Sequence, residues 1–413
     1  MLWTTILNYL AWYIFVFLGV MWILVLFQNK GKVKGKVPSP SRLPPVSVIL
    51  PAYNEEKTLA KSIRSILSLD YPRRLLDIIV VNDCSTDRTG EIAESFRKEG
   101  VRVLHNKRNV GKAAGLNRGI AAAKHELIAT VDADSIVEPP IIRKMVGYFS
   151  DPGVASVTPA LKVWKHGGML EKMQHAEYLL NVFLRKILSF LDSIHVTPGV
   201  FSMYRKSVLK EIGGFDEGNL TEDLEVALNI HRHGYRIENN LDACSYTLCP
   251  RKWRQLFRQR IRWYRGAIQN TIKHRHLFFN PRFGNLGMFF LPANIISVVA
   301  IIALFFVMAW NWMSTTADYV WKMSMINWDF SVYMGSLDLM SMFSNAISTP
   351  MLFALIGLVL GGYVLYVSFK VCDSRVRHNK LGYLLYLVLF PMVMMAFWTL
   401  AFLYEVVGAK KNW

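Results

Sequence analysis

Two carboxylates stand one residue apart, Asp132 and Asp134, where the apolar run of "LIATVDADSI" (127–136) stops. Acidic residues after a strand often do no more than cap the next helix or bind water, and the pair alone permits that reading. Its other use is to hold a hard divalent cation, which takes oxygen ligands and shares them with phosphate. Three further β-rich runs end in polar clusters. "VSVIL" runs into "PAYNEE", "LDIIVVND" into "CSTD", and "VRVLHN" into "KRNVGKAAGLNRG". One polar strand end is common. Together these ends gather Asn54, Glu55, Asp83, Lys112, Asp132 and Asp134, a set suited to a nucleotide and a metal ion. A departing diphosphate needs its charge neutralised, and a short open Asp-Ala-Asp at a strand end can help hold the ion that does so.

The elements that carry these residues alternate. Helical patterns follow the four runs near 57–69, 87–98, 111–123 and 138–149. Strand–helix alternation predicts an α/β domain with a mostly parallel sheet and helices on both faces. Ligands in such sheets bind beyond the carboxyl ends of the strands. No Gly-rich loop ending in Lys-Ser/Thr is present, and no dinucleotide glycine fingerprint follows the first strand, which sets aside kinase and dehydrogenase readings. Cys84, Cys244, Cys249 and Cys372 have no metal-ligand spacing and read as free thiols in a reducing compartment.

Lysine and arginine exceed aspartate and glutamate by 18 in 413 residues. That excess suits a polyanionic ligand, a nucleic acid or an anionic membrane surface. The apolar residues decide for the membrane, because they concentrate at both ends. Residues 2–27 carry no charge and are long enough to span. They lack the basic start and cleavage site of a signal peptide and read as a retained membrane helix. "KGKVKGK" follows, which favours the cytoplasm for the next domain and the outside for the amino terminus. Segments near 286–310, 350–371 and 381–406 are also long enough to span. "CDSRVRHNK" between the last two should be cytoplasmic. Simple alternation then puts the lysines of "AKKNW" outside, against the same charge rule. Either the last segment is broken near Pro391 and partly re-entrant, or residues 321–345 also enter the membrane.

"PAYNEE", "VNDCSTD", "NVGKAAGLNRG", "VDADS", "GNLTEDLEVAL" and "QRIRW" occur in that order. Each is weak alone. As an ordered set covering nearly the whole chain, they resemble the motifs of membrane-embedded, processive family 2 inverting glycosyltransferases, the group of cellulose, chitin, hyaluronan and poly-N-acetylglucosamine synthases. The resemblance implies a GT-A domain, a UDP-sugar donor and Mg2+ or Mn2+. By similarity, Pro51, Tyr53, Asn54 and Glu55 belong to the nucleoside pocket, and Asp83 reads the uracil edge, whose N3 is a donor. The family pattern there is Asp-Asp-Gly-Ser; Asn82 and Cys84 depart from it, and Cys84 stands where a glycine would. Lys112 takes the place of a basic residue near the nucleotide, although a lysine there could also be a solvated helix residue. Asp132 contacts the ribose and donor sugar, and Asp134 ligates the metal.

Inversion requires a base for the acceptor hydroxyl. The resemblance gives that role to Asp223 and an acceptor contact to Glu222, while Thr-Glu-Asp also suits the first turn of a helix. Gln259 and Arg262 face the donor, Arg262 as a planar fork for the diphosphate. Trp263 offers a sugar ring a flat face. In "RKWRQLFRQRIRWYRGAIQN", Trp253, Leu256, Phe257, Tyr264 and Ile268 recur at roughly helical spacing among arginines, as in a helix lying in the headgroup layer. A lipid-binding helix alone would not explain Gln259, Arg262 and Trp263 together. "TPGVFSMYR" resembles the loop that cradles the acceptor, with Thr197 and Gly199 as contributors and Pro198 where relatives carry Ser or Cys.

The expected division is a membrane helix (1–28), a basic linker (29–45), a cytoplasmic GT-A domain (46–250), an interfacial helix (251–280) and a membrane region (281–413). "TED" in place of Asp-Asp-Arg, the single preceding span and the Phe-Pro segment leading to Lys-Lys point toward synthesis of an N-acetylglucosamine exopolysaccharide of the biofilm type. No cyclic-dinucleotide receptor domain is visible. The expected partners are a UDP-sugar, a polysaccharide acceptor and the bilayer, with a small accessory membrane subunit left open and no nucleic acid. The expected place is the cell membrane, in several passes. The alternatives are a non-processive enzyme adding one sugar to a lipid, and a non-catalytic membrane scaffold with a nucleotide fold.

Overall fold

The structure is a computed structural model that describes residues 2–35, 40, 42–165, 167–331, 349–372 and 380–409. One eight-stranded sheet forms its centre. The strands are β1 (Val46–Ala52), β2 (Leu76–Asn82), β3 (Val101–His105), β4 (Leu127–Thr130), β5 (Ile136–Val137), β6 (Val154–Val163), β7 (Ser202–Arg205) and β8 (Arg236–Thr247). Their order across the sheet is β3-β2-β1-β4-β7-β6-β8-β5. The first four run parallel. β7 is antiparallel to both β4 and β6, β6 and β8 are parallel, and β5 is antiparallel to β8.

All seven residues of β1 are buried. Their side chains alternate between two cores. Val48 and Leu50 pack with Leu59, Ile63 and Ile66 of the helix Leu59–Leu67. Ile49, with Ile79 and Val81 of β2, packs on the other side with Leu116 and Ile120 of the helix Lys112–Ala122. Covering both faces is what permits nearly continuous apolar strands. Each such side chain contributes about 1.5–3 kcal/mol by leaving water. The chain moves outward from β1 to β2 and β3, then returns to β4 on the other flank of β1. That reversal opens a crevice at the carboxyl ends of β1 and β4.

Two helices join the sheet to the apolar segments. Met169–Ser189 is buried on most sides, because it lies on β6 and β8 and also against the helices Thr349–Val371 and Lys380–Val388. Trp253–Lys273 turns Leu256, Ile261 and Tyr264 onto Phe390, Phe397 and Ala401 of the helix Phe390–Val406. Tyr264 stacks on Trp398 with centroids 4.2 Å apart. Part of the apolar face read as lipid-facing therefore packs on protein, while Trp253 stays exposed.

Among the described residues, Thr5–Gln28, Leu286–Met325 and Met351–Val371 are long and apolar enough to cross a membrane. Lys380–Val388 and Phe390–Val406 form a pair bent by 47°. The bend falls at Leu389, before Pro391, whose missing N–H and ring favour a break there. The second apolar segment continues well past residue 310. Its 40 residues rise about 60 Å, roughly twice the hydrocarbon thickness, and so include residues 321–325. Residues 332–348, most of "CDSRVRHNK", the end of "AKKNW" and the end of "KGKVKGK" lie outside the described residues.

Candidate active site

The strand-end carboxylates meet two helix starts. Val131 N–H donates to the Ile49 carbonyl (2.9 Å), extending the β1–β4 ladder by one step, and Asp132 follows. The Asp132 N–H donates to the Gly199 carbonyl (3.0 Å). Lys112, first residue of its helix, brings Nζ within 2.6 Å of Asp132 Oδ1 and 2.8 Å of Glu222 Oε1. Glu222 in turn opens the helix Glu222–Arg232. A Cβ on Gly199 would stand 2.7 Å from both Lys112 Nζ and Asp132 Oδ1, so any side chain there would displace one end of the pair. Burial alone would lower the Lys112 pKa, but Asp132 and Glu222 outweigh it and hold it well above the ordinary lysine value. Burial likewise opposes the charge on Glu222, yet Lys112 keeps its carboxyl below the ordinary range.

Asp134 lacks such a partner. Its carboxyl is pushed up to about 6, first by burial, then by the negative charges of Asp132 and Glu55. Ser135 Oγ donates to it at 3.2 Å. Lys112 pairs with Asp132 and Glu222, so negative charge remains uncompensated at Asp134. That excess fits a divalent cation. Among the described residues no group of three or more His, Cys, Asp or Glu is arranged to hold a metal by itself. A cation here would need donor phosphate oxygens to complete its ligands, as expected for an open nucleotide-dependent site.

Asp223 sits at the second helical position, with Thr221 at the N-cap. Thr221 makes no side-chain cap bond; its Oγ1 accepts from Asn270 Nδ2 (3.0 Å). Asp223 Oδ1 accepts the N–H of its neighbour Leu224 (2.9 Å). Burial, then the adjacent Glu222, push the Asp223 carboxyl up to about 6, against the pull of Lys112 and Arg262. Such a carboxyl is poised to take a proton near neutrality. Thr197 is fully buried and holds Asp223 from behind, its N–H and Oγ1 both donating to the Asp223 carbonyl (3.1 and 3.0 Å). Its neighbours Pro198 and Gly199, rather than Thr197, face the cavity.

The nucleoside side is built by loops. Asn54 takes a left-handed φ of 54° and accepts from the Thr86 N–H (2.9 Å). Glu55 N–H donates to Thr89 Oγ1 (2.7 Å). The Glu55 carboxyl is raised by burial, and Thr58, Asp132 and Asp87 modulate it. Pro51 is buried in β1, and Tyr53 is exposed beyond it. Asp83 is 3% exposed and differs from expectation. Its carboxylate accepts from Asn106 Nδ2 (2.6 Å) and from the N–H groups of Val110 (3.0 Å) and Gly111 (2.8 Å). In this conformation it fastens the loop that leads to Lys112 and has little capacity left for a base edge. Gly111, at φ 90° and ψ 164°, occupies a region open essentially to glycine alone. Cys84 carries the left-handed φ of 58° that a glycine would take without strain.

The helix Trp253–Lys273 supplies the remaining wall. Arg262 Nη1 donates to the Leu220 carbonyl (3.2 Å), beside the Thr221–Asp223 turn. Sequence reasoning did not single out Arg260, which is 1% exposed and pairs with Glu177 at 2.7 Å. Its guanidinium lies 4.2 Å from the Trp263 ring centroid, so one face of Trp263 is already covered. Glu177 and Arg260 are 83 residues apart, and no local pattern announces their pairing.

A cavity of about 600 Å³ joins the acidic cluster to the helix Trp253–Lys273, and Pro51, Tyr53, Asn54, Glu55 and Asp83 are not among the residues that line it. Lys112, Asp132, Asp134, Glu222 and Asp223 line one end, with Gln259, Arg262 and Trp263 beside them. Its wall also includes Trp22, Phe290, Leu291, Asn294 and Trp398 of the apolar helices. Tyr178, Asn181, Arg185 and His195 lie in the same wall and were also missed. No local signal sets them apart, because the helix Met169–Ser189 carries Glu171, Lys172, Gln174, His175, Glu177 and Lys186 as well.

The profile of the family "Glycosyl transferase family 2" matches residues 47–213. A poly-beta-1,6-N-acetyl-D-glucosamine synthase of Staphylococcus epidermidis is 30% identical over 278 residues, 65% of this chain and 67% of that protein. The chain belongs to glycosyltransferase family 2. A second synthase of that name, from S. epidermidis RP62A, is 32% identical over 55% of this chain, which spans only 56% of that relative's length. The enzyme of S. aureus strain COL is 28% identical over 64% of the chain and 66% of its own length. Among solved structures, the mannosyltransferase PcManGT from Pyrobaculum calidifontis, in complex with GDP-Man and Mn2+, aligns over 91% of this chain and 98% of its own with a TM-score of 0.59 and 20% identity. That likeness shows the fold. The family 2 enzyme has a GT-A domain, as its motifs implied, together with helices apolar enough to span a membrane.

Proposed function

We propose that this family 2 enzyme transfers N-acetylglucosamine from UDP-N-acetylglucosamine to the end of a growing β-linked polysaccharide and passes the polymer outward between its apolar helices. The observation that carries the proposal is the cavity, whose wall includes both the acidic site and residues of the apolar helices. The similarity to poly-N-acetylglucosamine synthases supports the sugar and the polymer.

In the proposed reaction Asp223 accepts the proton of the acceptor hydroxyl. That oxygen attacks the anomeric carbon from the face opposite the diphosphate. The bond from the anomeric carbon to the diphosphate oxygen breaks, UDP leaves, and the configuration inverts. Lys112 holds Asp132 and Glu222 in place, and the Arg262 guanidinium faces the departing diphosphate. Pro51, Tyr53, Asn54, Glu55 and the loop fastened by Asp83 surround the nucleoside, and Gln259 borders the donor. Asp134, with donor phosphate oxygens, would hold Mg2+ or Mn2+, which when bound neutralises charge on the leaving group. The uncovered face of Trp263 receives the terminal acceptor sugar, with Glu222 and Gly199 at its edge.

The basic residues that follow the first helix support a cell-membrane enzyme with a cytoplasmic catalytic domain. A small accessory membrane subunit fits the exposed apolar faces of the long helices. The test is incubation of purified membranes with a panel of UDP-sugars, followed by linkage-specific digestion. UDP-N-acetylglucosamine should alone give a polymer cleaved by a β-1,6-N-acetylglucosaminidase. A lipid bearing one sugar as the sole product would overturn the proposal.

A further inference from the structure

The helix Trp253–Lys273 does more than line the cavity. Arg262, Gly266, Asn270 and Lys273 recur at the spacing that puts side chains on one helical face, and that face grips the turn ahead of Asp223. Arg262 Nη1 donates to the Leu220 carbonyl (3.2 Å). Gly266 lets the turn come close, because a Cβ there would overlap the Thr221 side chain. Asn270 is fully buried and is not among the residues that line the cavity. Its Oδ1 accepts from Asn219 Nδ2 (2.7 Å), and its Nδ2 donates to Asn219 Oδ1 and to Thr221 Oγ1 (both 3.0 Å). Asn219 Oδ1 also accepts the Thr221 N–H (3.0 Å). The Thr221 carbonyl in turn accepts the N–H groups of Leu224 (3.2 Å) and Glu225 (3.1 Å), which closes the first turn around Asp223. Lys273 Nζ donates to Glu225 Oε1 (2.6 Å), further along the same helix as Asp223.

We propose that Asn270 is a positioning residue for the proton acceptor: it ties the turn that carries Asp223 to the helix that carries Arg262, and so fixes Asp223 relative to the departing diphosphate. The inference rests on the reading of Asp223 as the base and deepens it. Helix packing alone does not call for an asparagine here. A leucine at a fully buried position would stabilise the contact without the cost of desolvating an amide. What the amide adds is direction, because its three bonds are satisfied in only one register of the two elements. Thr197 holds the Asp223 carbonyl from behind, which leaves the turn able to pivot about that point. The bonds from Asn270 stop the pivot where the turn begins. Proton transfer needs the base in near-attack geometry, and a misplacement of ~1 Å can lower the rate about 10²-fold. Asn270 lies outside the cavity, so its loss should act on kcat and spare donor binding.

The test uses the full-length chain in nanodiscs with UDP-N-acetylglucosamine and Mg2+. UDP release is measured per UDP-binding site, counted by calorimetry, so that misfolded protein does not enter kcat. Asn270→Ala should lower kcat about 10- to 100-fold, while donor KM and UDP affinity stay within about twofold of wild type. Asn219 is only partly buried. Asn219→Ala removes the oxygen shared by Asn270 and the Thr221 N–H and should lower kcat about tenfold. Asn219→Asp keeps that oxygen and should bring kcat back to within about threefold of wild type. Unchanged kcat in both alanine variants, a fall in donor affinity that matches the fall in kcat, or an Asn219→Asp enzyme as slow as Asn219→Ala would each overturn the inference. If Asn270→Ala yields no protein that binds UDP, Asn219→Ala and Asn219→Asp decide by the same criteria. A wild-type rate in Asp223→Asn overturns the base reading itself, a result distinct from an inactive Asp223→Asn beside a fully active Asn270→Ala.

Discussion

Asp223→Asn is the sharpest chemical perturbation of the site. The substitution keeps size and leaves an oxygen that can accept the Leu224 N–H, which Asp223 Oδ1 now accepts at 2.9 Å. The two bonds from Thr197 go to the backbone carbonyl and survive. Removing a carboxylate beside Glu222 in a buried site relieves repulsion, so the fold should not weaken. The lost function is proton acceptance, typically about 10²–10⁴ in rate, or about 2.7–5.5 kcal/mol of barrier at ~1.36 kcal/mol per tenfold. The pH profile adds a second signature. With its pKa pushed up to about 6, Asp223 is deprotonated in roughly one molecule in ten at pH 5 and nine in ten at pH 7. Wild-type kcat should therefore rise about tenfold across that interval and level off above it. In Asp223→Asn the rise should vanish with the rate, while the KM for UDP-sugar stays put. The assay is UDP release at saturating donor and acceptor from pH 5 to 8. A variant within about threefold of wild type would show that the proton goes elsewhere.

Asp134→Ala should abolish the effect of a chelator on UDP affinity and lower that affinity by at least about tenfold, since the carboxylate's charge no longer supports a cation; calorimetry with and without chelator reads this, and unchanged UDP binding contradicts it. Gly199→Ala places a Cβ 2.7 Å from Lys112 Nζ, so the Lys112–Asp132 pair must open and kcat/KM should drop about 10- to 100-fold, the range for one charge-assisted hydrogen bond. Glu177→Gln leaves Arg260 as an uncompensated buried cation and should cost about 3–5 kcal/mol of stability. Replacing both Glu177 and Arg260 by methionine should restore much of the lost Tm, and a single variant as stable as wild type would contradict the pairing.

The parallel half of the sheet was legible because its strands are short apolar runs and each is followed by a helical period. The GT-A fold and the glycosyltransferase family could be read from the motifs at the ends of those strands. What escaped was made by contacts between distant residues. Nothing near Glu177 or Arg260 indicates that they meet. Arg185 and His195 look like ordinary polar residues until the apolar helices close over them. Asp83 was given the uracil edge by its place in a family motif, and a motif does not show that the 106–111 loop folds back onto the carboxylate. The antiparallel strand β7 lies between β4 and β6, an insertion that hydropathy period cannot reveal because register and neighbour are set by long-range pairing. The break at Leu389 was foreshadowed by Pro391, whose effect on a helix is local.

Export of the polymer is the central claim and can be measured directly. Sealed vesicles with the catalytic domain outward are given UDP-N-acetylglucosamine, then a glycosidase, with and without detergent. A sugar polymer is too polar to cross hydrocarbon unaided, so product inside the vesicles must have passed through the protein. The account predicts polymer protected from the enzyme until detergent is added. Polymer that is fully digestible without detergent would contradict the continuous path from Asp223 to the apolar helices.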